Sequence, residues 1–193
     1  MNVAAAVLAA GGSRRLGKPK QIVPVEGVPL VRRAAQAALD AGCSPVVVVV
    51  GGNAATTLTA LVGIDVRVVL NPSWREGLAS SLRCAIDDLA RRPEGPPGAL
   101  VVLGCDQPAL TAAVLARLIA TRGPDAEDAA ACTYSGVLGT PAAFGSAWYP
   151  RLAAAVGDRG AADLLRAPGA RVTAVPWPEG ARDIDRPDDL PRE

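Results

Sequence analysis

The residues with the clearest chemical potential are two cations near a glycine-rich segment and one aspartate that follows an apolar run. Arg15 and Lys20 lie in or directly after residues 10–19, whose small residues let the backbone approach phosphate oxygens closely. Asp106 follows the apolar run 99–103, where a carboxylate is costly unless it has a partner. A hard cation such as Mg²⁺ is the natural partner when phosphates are nearby. An alternative is that Asp106 caps the helix that begins near Thr111.

The glycine spacing separates this segment from two common phosphate-binding loops. A dinucleotide-binding loop has the pattern GxGxxG at the start of a helix, and residues 10–19 do not have that spacing. A Walker A loop has GxxxxGK followed by serine or threonine, and Gly12 to Lys18 match its first seven positions. Pro19 then stands in place of the hydroxyl residue, and it offers neither a hydroxyl for magnesium nor an N–H for phosphate. The sequence therefore argues against a kinase or an ATPase.

The composition excludes several other kinds of chemistry. The 193 residues include no histidine, which excludes Ser-His-Asp and Cys-His catalysis and histidine-ligated metal sites. The four cysteines form no CxxC motif, so we expect small buried residues in a reducing compartment. The formal charge of +1 provides no basic stripe for a nucleic-acid partner. The apolar residues 1–10 are too few to span a bilayer, so we expect a soluble cytoplasmic protein without a membrane partner.

Strands and helices alternate along the chain, which predicts an α/β fold. Apolar or β-branched runs predict strands at residues 3–9, 45–50, 66–70, 99–103, 130–134 and 172–175. Helices are predicted at residues 30–41, 54–62, 78–89, 111–120, around 145–155 and at 161–166, with a loop at 135–141. We therefore expect one domain over residues 1–193, in which helices cover both faces of a largely parallel sheet. Ligands bind such sheets outside the carboxyl ends of the strands, where the candidate residues fall.

Residues 8–30 carry the most specific pattern. They resemble LAAGxSxRMGxxKxLLPxxGxPL, the signature of MobA-like NTP transferases, with mild departures at Leu16, Ile22 and Val23. The resemblance implies a three-layer Rossmann-like nucleotidyltransferase fold with a mostly parallel central sheet. It also implies that Arg15 and Lys20 hold a nucleoside triphosphate and take part in catalysis. The nucleotide contacts that it implies in the first loop are Leu8, Ala9, Ala10, Gly11, Gly12 and Ser13.

Two acidic segments resemble metal-binding elements of the same family. Residues 104–108 resemble its GDQP element, whose aspartate binds the metal and corresponds to Asp106; here Cys105 is inserted after the glycine. Residues 183–190 resemble its DIDTPEDL ending. The resemblance implies Mg²⁺ held by Asp106 and Asp185, with Asp183 as the alternative second ligand. Capping of a short helix is the competing interpretation of the later aspartates.

The middle of the chain resembles elements that bind the base and the acceptor. Residues 71–82 resemble the NPxWxxGxxSSL pattern of the cytidylyltransferase branch, which implies base recognition by Asn71, Gly77, Ser80 and Ser81. Residues 139–141 stand where the family often has Gly-His-Pro, and residues 157–161 resemble its GDxGA element. The acceptor contacts implied by this resemblance are Gln107, Gly139, Thr140, Pro141, Asp158 and Arg159. Helix capping by the serines and by Asp158 is the competing interpretation.

Taken with the chemistry of its residues, the resemblance implies a nucleotidyltransferase that uses Mg²⁺. It would transfer a nucleoside monophosphate, CMP from CTP rather than GMP from GTP, to a phosphorylated acceptor and release pyrophosphate. The branch implies molybdopterin cofactor as the acceptor, and a molybdoenzyme or its chaperone as the protein partner. Alternative acceptors are a sugar phosphate and methylerythritol phosphate. An alternative of another class is a non-catalytic nucleotide-binding chaperone, which would not need Asp106 and Lys20.

Overall fold

The uninterrupted apolar runs form the centre of a seven-stranded sheet in the computed structural model, which describes residues 2–190. The strands are β1 (Val3–Ala9), β2 (Pro24–Val25), β3 (Val28–Pro29), β4 (Val46–Val50), β5 (Arg67–Leu70), β6 (Ala99–Gly104), β7 (Ala129–Tyr134), β8 (Val137–Gly145) and β9 (Val172–Pro176). Strands β2 and β3 form a separate two-stranded ribbon. The large sheet has the order β5-β4-β1-β6-β8-β7-β9, and within residues 2–190 only β8 runs against the others. The predicted mostly parallel sheet is therefore confirmed.

Helices cover both faces of this sheet, which confirms the predicted three layers. They are α1 (Leu30–Asp40), α2 (Ala54–Ala60), α3 (Leu78–Ala90), α4 (Ala112–Thr121), α5 (Tyr149–Ala153) and α6 (Gly160–Leu165). Helices α1, α2 and α4 pack on one face, and α3, α5 and α6 pack on the other. None of the helices within residues 2–190 has the length and the apolar composition that a transmembrane span requires.

Strand β4 shows why the sequence requires two covering layers. Val46, Val48 and Val50 belong to the core on the α1 side of the sheet. Val47 and Val49 belong to the core on the α3 side, because successive side chains of a strand point to opposite faces. All five valines are at most 2% exposed. A strand of this kind is stable only between two apolar layers.

One expectation about the elements is wrong. Residues 135–141 are predicted as a loop, but only Ser135 and Gly136 form a turn, and β8 begins at Val137. Gly139 and Pro141 suggest a break because proline cannot donate to a strand ladder. The register of β7 and β8 shifts between Ala131 and Cys132, so Cys132 pairs with Gly139 while Ala131 pairs with Ala142. This irregularity accommodates Pro141 inside the sheet.

The last described segment is anchored beside the first loop by apolar packing. Ile184 is 1% exposed and packs against Leu16, Val23 and Leu30. Its backbone N–H also donates a hydrogen bond to the carbonyl oxygen of Asp106 at 2.9 Å. Segments far apart in the sequence are therefore joined at one edge of the sheet, where the carboxyl ends of β1 and β6 lie.

Candidate active site

A cleft of about 550 Å³ opens at the carboxyl ends of β1 and β6. Its walls come from the glycine-rich loop, the start of α3, the end of β6 and single residues near 140 and 158. The predicted site residues that line it are Leu8, Ala9, Ala10, Gly11, Gly12, Ser13, Arg15, Lys20, Gly77, Ser81, Asp106, Thr140 and Asp158. A smaller adjoining cavity of about 150 Å³ is bordered by Arg15, Lys20 and Asp185. The fold thus brings the first loop, the metal candidates and part of the base and acceptor segments to one place.

A cluster of alternating charges lies at the meeting point of these segments. The Lys20 Nζ is 2.7 Å from Asp106 Oδ2 and 2.9 Å from Asp185 Oδ1. Arg15 contacts the other oxygen of Asp185 at 2.8 Å. The Lys20 side chain is 18% exposed and that of Arg15 is 68% exposed. The lysine is therefore the better shielded of the two cations, and solvent screens the arginine pair strongly.

The cluster changes the proton affinity of two of its members. Burial by itself would lower the pKa of Lys20, but the Asp106 carboxylate outweighs it, with Asp185 in support, and the pKa is raised above its ordinary value. Partial burial of its carboxyl group, followed by the charges of Asp106 and Asp185, raises the pKa of Asp183 to about 6. Lys20 is therefore a permanent cation, while Asp183 holds its proton more readily than an ordinary aspartate although much of the residue is exposed.

The chemistry of the two aspartates fits a divalent cation shared with phosphates. Carboxylate oxygens of Asp106 and Asp185 converge on one ammonium group, so a cation already lies where both can reach it. Within residues 2–190 there is no group of three or more His, Cys, Asp or Glu side chains that could hold a metal ion. Mg²⁺ commonly binds through one or two carboxylates and completes its octahedron with water and substrate phosphates. The two carboxylates therefore suit an ion that completes its coordination with water and phosphates, rather than an ion held by protein groups alone.

Trp74 packs against Gly12 of the glycine-rich loop, a contact that was not predicted from the sequence. A Cβ on Gly12 would lie about 2.8 Å from its ring, and one on Gly52 about 2.9 Å from it. Arg75 stacks over the same ring, with its Cζ 4.6 Å from the centroid. Arg75 and Arg14 both line the cleft, and neither forms an ion pair with another residue in the described range. The tryptophan belongs to the NPxWxxGxxSSL pattern, but nothing in the sequence places it against the glycine-rich loop.

The structure does not support direct base contacts by Asn71 and Ser80. Asn71 is 1% exposed, and its amide nitrogen donates to the hydroxyls of Ser80 at 2.8 Å and Ser81 at 3.0 Å. Its Oδ1 accepts the N–H of Ser73 at 2.9 Å. All of its polar atoms are therefore used to hold the start of α3. Of the four predicted base-binding residues, Ser81 and Gly77 line the cleft.

Some of the predicted acceptor residues line the cleft, and others support it from behind. Thr140 and Asp158 line the cleft, and a Cβ on Gly77, whose φ is +102°, would lie about 2.5 Å from Asp158 Oδ1. The predicted base and acceptor segments are therefore in direct contact. Gln107 is 7% exposed and donates to the carbonyl oxygens of Thr140 and Gly180, so it supports the cleft from behind.

Three further acceptor candidates do not face the cleft or cannot be placed. Gly139 and Pro141 lie within β8 and do not line the cleft. A Cβ on Gly139 would meet the hydroxyl of Tyr134. The side chain of Arg159 lies outside the described part of the chain.

A parallel-sheet α/β fold with a glycine-rich loop, a shielded lysine and two convergent aspartates is the arrangement of an enzyme that handles nucleotide polyphosphates. The sequence model of the MobA-like NTP transferase domain matches residues 5–173, and the chain belongs to this family of nucleotidyltransferases. The resemblance found in the sequence is thereby confirmed.

Similar proteins extend over most of the chain. Nicotine blue oxidoreductase of Paenarthrobacter nicotinovorans is 35% identical over 173 residues, which cover 85% of this chain and 81% of that protein. The crystal structure of Rv0371c from Mycobacterium tuberculosis H37Rv has a TM-score of 0.78 and 34% identity, covering 98% and 96% of the two chains. The manganese complex of Rv0371c has a TM-score of 0.74 and 30% identity over the same fractions. A nucleotidyl transferase from Methanothermobacter thermautotroptrophicus has a TM-score of 0.82 and 26% identity, covering 97% and 94%.

Proposed function

We propose that this protein transfers CMP from CTP to a phosphorylated small molecule, with molybdopterin cofactor as the acceptor, and releases pyrophosphate. The observation that carries the proposal is the cluster of Lys20, Asp106 and Asp185 beside the glycine-rich loop. Two carboxylates and a shielded cation at the carboxyl ends of β1 and β6 suit a triphosphate with its divalent ion.

In the proposed reaction an acceptor phosphate oxygen attacks the α-phosphorus of CTP, and pyrophosphate leaves on the opposite side. The attacking oxygen is already anionic at neutral pH, so the chain needs no general base, which agrees with the absence of histidine. Lys20 and Arg15 bind the phosphate oxygens and offset their charge, while the cleft holds the two reactants in line. Mg²⁺, held by Asp106 and Asp185, would neutralise part of the charge that develops on the phosphates.

The choice of CTP and of the acceptor depends on two segments that both reach the cleft, the predicted base segment near Ser81 and the predicted acceptor segment near Asp158. Ser81 lies at the cleft and accepts a hydrogen bond from Asn71, which leaves its own O–H available for a polar atom of the base. Asp158 lies against Gly77 on the acceptor side of this wall. The small residues of the first loop, Ala9-Ala10-Gly11, favour CTP over GTP by their resemblance to the cytidylyltransferase branch. The cytoplasmic location remains a prediction, with which the absence of disulfides among the described residues agrees.

A pyrophosphate-release assay tests this proposal. The purified protein is incubated with molybdopterin cofactor and each of the four nucleoside triphosphates in turn, with Mg²⁺ and with excess chelator. We expect release with CTP that depends on both the acceptor and Mg²⁺. Release with GTP instead would contradict the choice of base, and no release with any of the four nucleotides would reject molybdopterin cofactor as the acceptor.

A second candidate function comes from the relative that is named nicotine blue oxidoreductase. Its 35% identity over most of this chain favours a reductive reaction in the same cleft. Oxidation of NADH or NADPH in the presence of nicotine blue, followed by absorbance, tests this candidate directly. A rate above that of the uncatalysed mixture, with no pyrophosphate released from any nucleotide, would replace the proposed transferase function.

A further inference from the structure

Gln21 is a fully buried polar side chain to which neither the resemblance nor the proposed reaction gives a role. It is 0% exposed and follows Lys20 in the short 3₁₀ turn Lys20–Ile22. Its Nε2 donates hydrogen bonds to the carbonyl oxygens of Ala9 at 2.9 Å and Gly11 at 2.6 Å. One amide group therefore holds two carbonyls of the glycine-rich loop.

These two bonds determine where the loop presents its N–H groups. The C=O and N–H of a trans peptide point in opposite directions. Because the carbonyls of Ala9 and Gly11 point at Gln21, the N–H groups of Ala10 and Gly12 point away from it. Gln21 borders the cleft but is 0% exposed, whereas Gly11 and Gly12 of the loop keep surface that solvent can reach, so we infer that these N–H groups are directed toward a ligand in the cleft. Within residues 2–190 the Gly12 N–H donates to no other protein group.

The same side chain links the loop to the lysine of the charge cluster. The Oε1 of Gln21 accepts a hydrogen bond from the Ser13 hydroxyl at 3.3 Å. That hydroxyl in turn accepts the backbone N–H of Lys20 at 2.9 Å. Ser13 has a φ of +52°, a left-handed conformation that a non-glycine residue adopts only when its surroundings hold it there. The loop and Lys20 are therefore fixed relative to each other through one buried amide.

We propose that Gln21 is a positioning residue that orients the glycine-rich loop for anion binding. Its amide holds the loop carbonyls on the buried side, so that the N–H groups of Ala10 and Gly12 bind phosphate oxygens of a nucleoside triphosphate. The inference rests on the proposed function, because that function supplies the anion. It adds a backbone contribution to phosphate binding that is separate from the charge of Lys20.

Two substitutions of Gln21 separate positioning from packing. Gln21→Met conserves volume but removes every hydrogen bond of the amide. Gln21→Glu keeps the shape and the accepting oxygen, but an ionised carboxylate cannot donate to the two carbonyls. Gln36→Glu is the matched control, because Gln36 is exposed on α1 and its side chain bonds, among residues 2–190, to Asp40 alone.

Isothermal titration calorimetry with CTP and with pyrophosphate, both in excess Mg²⁺, measures the consequence. We expect the Kd of both ligands to rise at least about tenfold in each Gln21 variant, as for the loss of charge-assisted hydrogen bonds. Gln36→Glu should leave both values unchanged. The binding of Mn²⁺ alone, followed by electron paramagnetic resonance, should be the same in Gln21→Met as in the wild type, since the metal candidates do not contact Gln21.

The titration also tells a purely structural role apart from positioning. A structural role would lower the fraction of folded protein, and hence the apparent stoichiometry, while the folded molecules kept the wild-type Kd. That result, in either variant that folds, would overturn the inference and leave the transferase proposal intact. If the wild-type protein bound neither CTP nor pyrophosphate, the transferase proposal and this inference would both fall.

Discussion

Replacing Lys20 by methionine should change the affinities for nucleotide and for metal in opposite directions. Lys20 is in contact with both candidate metal ligands, Asp106 and Asp185, at 2.7 and 2.9 Å. In the absence of ligand it therefore competes with a divalent ion for the same carboxylates. In the presence of a triphosphate it becomes a favourable partner of the phosphate oxygens. Removing it should weaken nucleotide binding and strengthen the binding of the metal alone.

The magnitudes follow from the burial of the charges. A hydrogen bond to a charged group contributes about 1.5–3 kcal/mol, so the Kd for CTP in Lys20→Met should rise about 10- to 150-fold. Arg15 is 68% exposed, and exposed pairs contribute about 0.2–1 kcal/mol, so Arg15→Met should raise that Kd at most about fivefold. The Lys20 pair with Asp106 is partly exposed, and its loss should tighten the binding of Mn²⁺ alone by about fivefold.

Calorimetry with CTP in excess Mg²⁺ and electron paramagnetic resonance with Mn²⁺ alone measure the two affinities. Lys18→Met is the matched control, because Lys18 is exposed and does not line the cleft, and it should change neither value. A loss of Mn²⁺ affinity in Lys20→Met would refute the competition between lysine and metal. An effect of Arg15→Met as large as that of Lys20→Met would refute the argument from burial.

Three further predictions follow from the site. Asp106→Ala should lower the rate of pyrophosphate release at least ~100-fold with the fold intact by circular dichroism, and full activity would remove the metal argument. The pKa of Asp183 is raised to about 6 in the folded protein from 3.8, so the folded state binds more protons and stability falls as pH rises through that interval. Thermal unfolding of Asp183→Asn in chelator should therefore lack this fall, and an unchanged profile would contradict the assignment. Gly12→Ala should lower the free energy of unfolding, measured in urea, by about 1–3 kcal/mol, because the new Cβ meets the Trp74 ring. Gly11→Ala should lower it much less, because the space around a Cβ at that position is open.

The fold was largely predictable because the sheet is buried on both faces. A strand such as β4, with five consecutive valines, has only one arrangement that removes all its side chains from water. Strand β8 was missed for the opposite reason: Gly139 and Pro141 obey local rules for loops, and only pairing with both β6 and β7 makes them part of a strand.

The site, too, could be predicted only in part from the sequence. Functional roles for Lys20 and Asp106 could be predicted from their residue types and their positions in the chain, because a buried or strand-end charge requires a partner. Whether a polar side chain faces the ligand or supports the wall could not be predicted, as Asn71 and Gln107 show. The amide nitrogen of Asn71 donates to Ser80, and that of Gln107 donates to the carbonyl oxygen of Gly180, contacts that only the folded chain provides. The orienting contacts of Gln21 depend on the same kind of tertiary pairing.

The position of Asp185 has a consequence for shortened forms of the chain. Its carboxylate reaches Lys20 across 165 positions in sequence, and the neighbouring Ile184 packs against Leu16 beside the first loop. Every residue that lines the main cleft lies at or before position 158. A protein truncated before residue 185 would therefore have the cleft but only one of the two carboxylates. It should bind Mn²⁺ more weakly than the 193-residue chain while its glycine-rich loop is unchanged.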